Sequence, residues 1–165
     1  MLKAAQLLYL MLPAFAANMA PPFVKYWHGW NRPISERWLG SHKTIIGFSA
    51  GIVAAIVTTF VQSRIDWSGA LISYADWPML GAAMGLGAMS GDAMKSLFKR
   101  RLGIAPGASW IPADQLDYVM GALIGLWFWI RLDWQDGLLL FALSFAGHVI
   151  VNHMAFYLNI RDTRW

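Results

Sequence analysis

Three short polar segments contain nearly every residue from which this chain could assemble a reactive site. The richest reads Ser90-Gly91-Asp92-Ala93-Met94-Lys95-Ser96-Leu97-Phe98-Lys99-Arg100-Arg101-Leu102-Gly103. On a helix, Asp92, Lys95, Ser96 and Lys99 fall at i, i+3, i+4 and i+7 and share one face. Asp92 stands where an apolar run ends, and an ionisable residue there is costly unless paired or hydrated. A salt bridge from Asp92 to Lys95 or Lys99 is the plain structural alternative to a functional role. The second segment is Pro112-Ala113-Asp114-Gln115-Leu116-Asp117-Tyr118. Asp114 and Asp117, at i and i+3, face the same way at a helix start. The helix dipole favours acids there, and a divalent cation would relieve their mutual repulsion. The third is Leu39-Gly40-Ser41-His42-Lys43-Thr44-Ile45-Ile46-Gly47, where helix-start amides attract anions. Lys43 and Thr44 would add a charge and a hydroxyl, whereas structurally Lys43 is a membrane-side anchor and Ser41 a helix cap.

Together the segments offer three carboxylates, several lysines and arginines, and small hydroxyl residues. Magnesium takes oxygen ligands and usually combines few protein carboxylates with substrate phosphates. Metal and cations are also what phosphoryl chemistry needs to hold a polyanion. Other chemistries have less support. There is no cysteine, which excludes disulfides, thiolate zinc sites and cysteine nucleophiles. No GxxxxGK[ST] loop occurs, and His28, His42, His148 and His153 are scattered. His148 and Asn152 share a face at i, i+4, a spacing read as a packed polar contact.

The elements that must position these residues are membrane spans. Of 165 residues, 58% are hydrophobic and 13% charged, against about 25% charged in an ordinary soluble domain. Mean hydropathy is +0.45. This composition argues against disorder, an ordinary soluble enzyme and a nucleic-acid-binding module. The net charge of +4 reports topology instead. A spanning helix needs about 20 mostly apolar residues, and five stretches come close: Leu2–Ala20, Thr44–Val61, Trp77–Gly91, Leu116–Ile130 and Gly137–Leu158. The third and fourth are short and are expected to continue as helix into the polar stretch between them. The fold class is therefore all-α, a polytopic bundle of five transmembrane helices forming one domain over residues 1–165.

Ten of the thirteen basic residues fall in the loops after the first and third spans and in the tail, leaving Lys3, Arg64 and Arg131 on the other side. Basic residues collect on the cytoplasmic side. This predicts an inner or plasma membrane protein with its N-terminus outside and its C-terminus and all three polar segments in the cytoplasm. Lys3, the apolar run and Ala14-Phe15-Ala16 also resemble a secretory signal peptide, but the basic stretch that follows opposes export. Ten tryptophans and five tyrosines suit bilayer interfaces. Gly81/Gly85 and Gly87/Gly91 are GxxxG pairs that allow close helix approach. Packing within the chain is the expectation, with a homodimer as the other use. Asp76 before Trp77-Pro78 reads as a helix N-cap.

These motifs resemble the CDP-archaeol synthase family, which is related to the phosphatidate cytidylyltransferases. The likeness rests on Gly40-Ser41-His42-Lys43-Thr44; on Gly91-Asp92 with Ser96, Lys99, Arg100, Arg101, Gly103 and Ile104; on Asp114-Gln115-Leu116-Asp117; and on His148, Asn152, Tyr157 and Trp165 in the tail. It runs from about Asn18 to Trp165. The departures are Ser41, where archaeal relatives usually have aspartate, and Ile45-Ile46, where they have tryptophan-arginine. The resemblance implies a magnesium-dependent enzyme in which a membrane lipid phosphate attacks the α-phosphorus of CTP and displaces pyrophosphate. The lipid would be 2,3-bis-O-geranylgeranyl-sn-glycerol 1-phosphate or a phosphatidate-like molecule. By position, Asp92, Asp114 and Asp117 would hold magnesium, with Asp92, Lys99 and Asp117 carrying catalysis. Ser41, Lys43, Thr44, Lys95, Ser96, Arg100 and Arg101 would bind substrate. The implied partners are CTP, the lipid phosphate and the bilayer. An inactive paralogue, or a non-enzymatic scaffold or transporter subunit, is the alternative. A CDP-alcohol phosphotransferase is disfavoured, since Asp136-Gly137 leads only into Leu138-Leu139-Leu140-Phe141.

Overall fold

A computed structural model describes residues 2–24, 31–105, 108 and 110–157, except the side chains of residues 152 and 155. Within these residues the chain is helical: α1 (Leu2–Val24), α2 (Glu36–Leu39), α3 (Ile45–Ile65), α4 (Trp77–Arg101), α5 (Ala113–Gly125), a 3-10 turn (Leu126–Phe128) and α6 (Trp134–Tyr157). The sole extended pairing among them is one bridge between Pro33 and Thr44.

Each of the five expected spans falls on a helix with shifted ends, the fourth only in part, because α5 has 13 residues. α1, α3 and α6 are long and apolar enough to cross a membrane. α4 extends ten residues past Gly91 to Arg101 and α5 starts three residues before Leu116, so both run into the intervening polar stretch as expected. At 1.5 Å per residue, the 25 residues of α4 reach about 37 Å and the 13 of α5 about 20 Å. α5 gives way to a 3-10 turn at Leu126, so the regular helix ends before the apolar run does. Asp76 occupies the N-cap position of α4 with Pro78 in the first turn, as expected, but its side chain makes no cap bond. Thr44, and not Ser41, caps α3 by accepting from the Gly47 amide at 3.1 Å.

The core is built from one face of α1 (Leu7, Leu10, Met11, Ala14, Ala17) against Ala55 of α3, Leu80, Met84 and Ala88 of α4, and Val119 and Ala122 of α5. α4 is the central element, packed against both α3 and α5. Its two glycine pairs divide that work. A Cβ at Gly81 would lie 2.6 Å from the Ile56 backbone, and one at Gly85 2.9 Å from that of Ile52, so the first pair seats α3. A Cβ at Gly87 would lie 2.3 Å from the Gly121 carbonyl oxygen, and one at Gly91 2.2 Å from that of Asp117, so the second pair seats α5. The glycine stripe is thus used inside the chain, as expected. Trp67, Trp77, Trp127, Trp129 and Trp134 gather at the end of the bundle where α3 and α5 finish and α4 and α6 begin. The three polar segments lie at the other end.

Candidate active site

Helix periodicity places Asp92, Lys95, Ser96 and Lys99 on one face of α4, and the glycine contact with α5 brings the start of that helix alongside. The Lys95 ammonium stands 3.1 Å from Asp92 Oδ1, 3.1 Å from Asp114 Oδ1 and 2.7 Å from Asp117 Oδ2. Three carboxylates from two helices therefore converge on one nitrogen. Their side chains are 13%, 19% and 5% exposed, so the charges are largely removed from solvent and need partners.

Two further lysines complete the cluster. Lys43 reaches from the turn before α3 to Asp92 Oδ2. Lys99 lies 3.2 Å from Asp114 Oδ1 and also donates to the Ala108 carbonyl. Asp114 Oδ2 accepts from the Trp110 backbone amide at 2.6 Å. Burial pushes the Asp114 carboxyl up, but the Trp110 amide, Lys95 and Lys99 outweigh burial and hold it below the ordinary carboxylate range. Lys43 is positioned by backbone contacts that turn residues 32–45 back on themselves: Ile34 donates to the Lys43 carbonyl at 2.8 Å and Ile45 to that of Arg32 at 3.0 Å.

The other expected site residues are placed differently. Ser96 donates its hydroxyl to the Asp92 carbonyl at 2.9 Å and is 6% exposed, so that proton serves its own helix. Ser41 is exposed in the turn that Gly40 opens at φ +84°. Thr44 caps α3 beside the cluster. Arg100 carries a buried Nε without a hydrogen-bond partner among the described residues. The Arg101 guanidinium sits 6.0 Å from the Trp38 ring centroid, on the rim instead of among the acids. Ile45 is exposed at the first position of α3. In the tail, the Asn152 side chain and Trp165 lie outside the described residues, as do Arg161 and Arg164. The salt-bridge reading of Asp92 holds for Lys95, while Lys99 pairs with Asp114.

A small cavity of about 40 Å³ opens beside Asp92 and Lys43, lined by His42 and Thr44 on its polar side and by Pro21, Phe48 and Met89 on its apolar side. These apolar residues, like the Trp110 amide and the Ala108 carbonyl, carried no signal in the sequence. Their role comes from chain folding alone.

Three oxygen-bearing acids around one cationic centre are the donor set a hard divalent ion takes. That centre is filled by Lys95, and as the side chains stand no group of three acids or histidines among the described residues is open to a metal ion. Carboxylate oxygens are donors of the kind magnesium takes, and here all three carboxylates are engaged by Lys95.

The chain matches the CarS-like CDP-archaeol synthase family model over residues 2–165. It is 35% identical over 164 residues to a CDP-archaeol synthase of Saccharolobus islandicus, covering 94% of this chain and 93% of that one. It is 31% identical over 170 residues to the CDP-archaeol synthase of Methanospirillum hungatei, covering 94% of this chain and all of the other. A solved structure of an intramembrane enzyme for archaeal membrane lipid biosynthesis superposes with a TM-score of 0.76 at 28% identity, over 88% of this chain and 91% of that one.

Proposed function

The chain belongs to the CDP-archaeol synthase family and is an integral membrane cytidylyltransferase, and from that premise we propose that it transfers a cytidylyl group from CTP to an isoprenoid glycerol phosphate, releasing pyrophosphate. A phosphate oxygen of the lipid forms a bond to the α-phosphorus of CTP. The bond from that phosphorus to the α,β-bridging oxygen breaks, and pyrophosphate leaves with the electron pair. Neither substrate needs a separate proton to be removed before attack, because the nucleophile is already an anion. The residues' task is to hold two polyanions together against their mutual repulsion.

The observation that supports this reading is the meeting of Asp92, Asp114 and Asp117 at one cationic point, with Lys43 and Lys99 on either side. Asp92, Asp114 and Asp117 would hold magnesium, which supplies charge neutralisation on the phosphates when bound. Lys43, Lys99 and Arg100 orient the phosphoryl groups, Arg101 contributes from the rim, and Thr44 offers a hydroxyl next to Lys43. The cavity is too small for a lipid phosphate as it stands; widened, it would offer one polar contacts at Lys43 and Thr44 and apolar ones at Phe48 and Met89.

In this reading α1, α3, α4 and α6 cross the bilayer, and α5 does so together with the 3-10 turn and the residues after it, with the N-terminus outside and the site at the cytoplasmic boundary. The clustering of basic residues at the site end supports that orientation. The test uses purified protein with CTP, magnesium and a panel of lipid phosphates. Pyrophosphate release that prefers the digeranylgeranylglyceryl phosphate over phosphatidate supports the archaeol-type substrate. Equal turnover of both lipids overturns that preference, and no release with any lipid overturns the reaction.

A further inference from the structure

The site is electrically closed. Lys43, Lys95 and Lys99 are paired with Asp92, Asp114 and Asp117 in one continuous network, three formal positive charges against three negative. The lysines that a triphosphate would need are therefore held by the carboxylates that a metal would need. Lys95 is the pivot, because it alone touches all three acids. Carboxylates this buried and this close repel strongly unless a cation lies between them. The four-carbon stem of a lysine is long and flexible enough to withdraw its ammonium by rotation about its own bonds.

We infer that Lys95 is an internal counter-cation: it holds Asp92, Asp114 and Asp117 together while no divalent ion is bound, and it is expelled from between them when one enters. The inference rests on the proposed reading of these acids as the magnesium site. It makes Lys95 a competitor of the metal first and a phosphate ligand second. A divalent ion adds two charges to a neutral cluster and releases a third, so the released ammonium turns toward whatever anion follows. If Lys95 were instead a permanent bridge, its removal would disorder the acids and weaken metal binding.

The experiment uses the full chain in nanodiscs without nucleotide and Mn2+ as the probe, with free Mn2+ read by electron paramagnetic resonance. Lys95→Met is expected to bind Mn2+ at least about ten-fold more tightly than the unaltered chain, since the competing charge is gone. Lys95→Arg, which keeps a cation there, is expected to bind it no more tightly. A second measurement needs no variant: acetylation of Lys95, followed by mass spectrometry, should rise several-fold when Mn2+ is added. Unchanged or weaker Mn2+ binding by a folded Lys95→Met, or Lys95 acetylation indifferent to Mn2+, overturns the inference. The site assignment is judged separately by Asp92→Asn with Asp117→Asn in the Lys95→Met background. Loss of the gained affinity upholds the assignment, and binding that ignores both substitutions overturns it together with the inference.

Discussion

A methyl group placed on Gly91 would lie 2.2 Å from the carbonyl oxygen of Asp117. Backbone-to-backbone contact between α4 and α5 is thus made immediately beside the acids, and it is this contact that brings Asp117 within reach of Lys95 on the next turn of α4. Helix packing and site assembly are the same event here.

Gly91→Val should therefore cost stability and activity together. Overpacking of a close contact typically costs about 1–3 kcal/mol, and α5 cannot recede without taking Asp117 with it. Gly137→Ala is the matched control, because a Cβ there meets nothing within 4 Å. It should be neutral or slightly stabilising, since alanine is favoured over glycine in a helix by up to about 1 kcal/mol. Thermal unfolding in one detergent compares the two. A Gly91→Val protein as stable and active as the parent would show that the helices do not meet there.

Asp92→Asn and Asp117→Asn should each lower pyrophosphate release by at least about 100-fold, the scale on which loss of one charge-stabilising group is felt. Asp133→Asn, at the opposite end of the bundle, should leave turnover unchanged. Initial rates at saturating CTP and lipid phosphate decide this, and full turnover by either site variant would remove that aspartate from the reaction.

The shared face of Asp92, Lys95, Ser96 and Lys99 was legible because helix periodicity fixes it, and the pairing of Asp114 with Asp117 was legible for the same reason. Partners across helices were not. Nothing in the spacing says that Lys99 meets Asp114, or that Lys95 touches three acids, because those contacts depend on how far α4 and α5 approach. The glycine stripe announced a close approach without naming which helix each pair would seat. The turn at residues 32–45 was also hidden, since one isolated bridge has no periodicity to read, and so the cap was expected at Ser41 three residues too early.

Lys99→Met should loosen the segment that leads into α5. Lys99 ties Asp114 to the Ala108 carbonyl, and Asp114 in turn holds the Trp110 amide. Hydrogen exchange at Trp110 should quicken by about ten-fold or more, while amides in the middle of α3 keep their protection. Equal exchange at Trp110 in both proteins would mean that Lys99 is not the tie.

Thr44→Ala should destabilise the protein by about 1 kcal/mol, the usual worth of a threonine N-cap, whereas Ser41→Ala should change nothing. Thermal midpoints settle the point, and equal effects at the two positions would contradict the assignment of the cap to Thr44.

The natural absence of cysteine makes the membrane topology directly testable. Ser73→Cys should react with an impermeant maleimide from outside intact cells, and Leu102→Cys only after the membrane is opened. Labelling of both from one side would break the five-crossing arrangement.

The equality of opposite charges in the cluster has a further effect at a distance. A balanced set of ion pairs projects almost no field into the surrounding water, so an approaching nucleotide is not steered by Lys43, Lys95 or Lys99. In the proposed reading, long-range guidance would fall to arginines on the rim, where Arg37 and Arg101 lie 5.2 Å and 6.0 Å from the Trp38 ring. Encounter and capture would then rest on different residues, and ionic strength should act on the first far more than on the second.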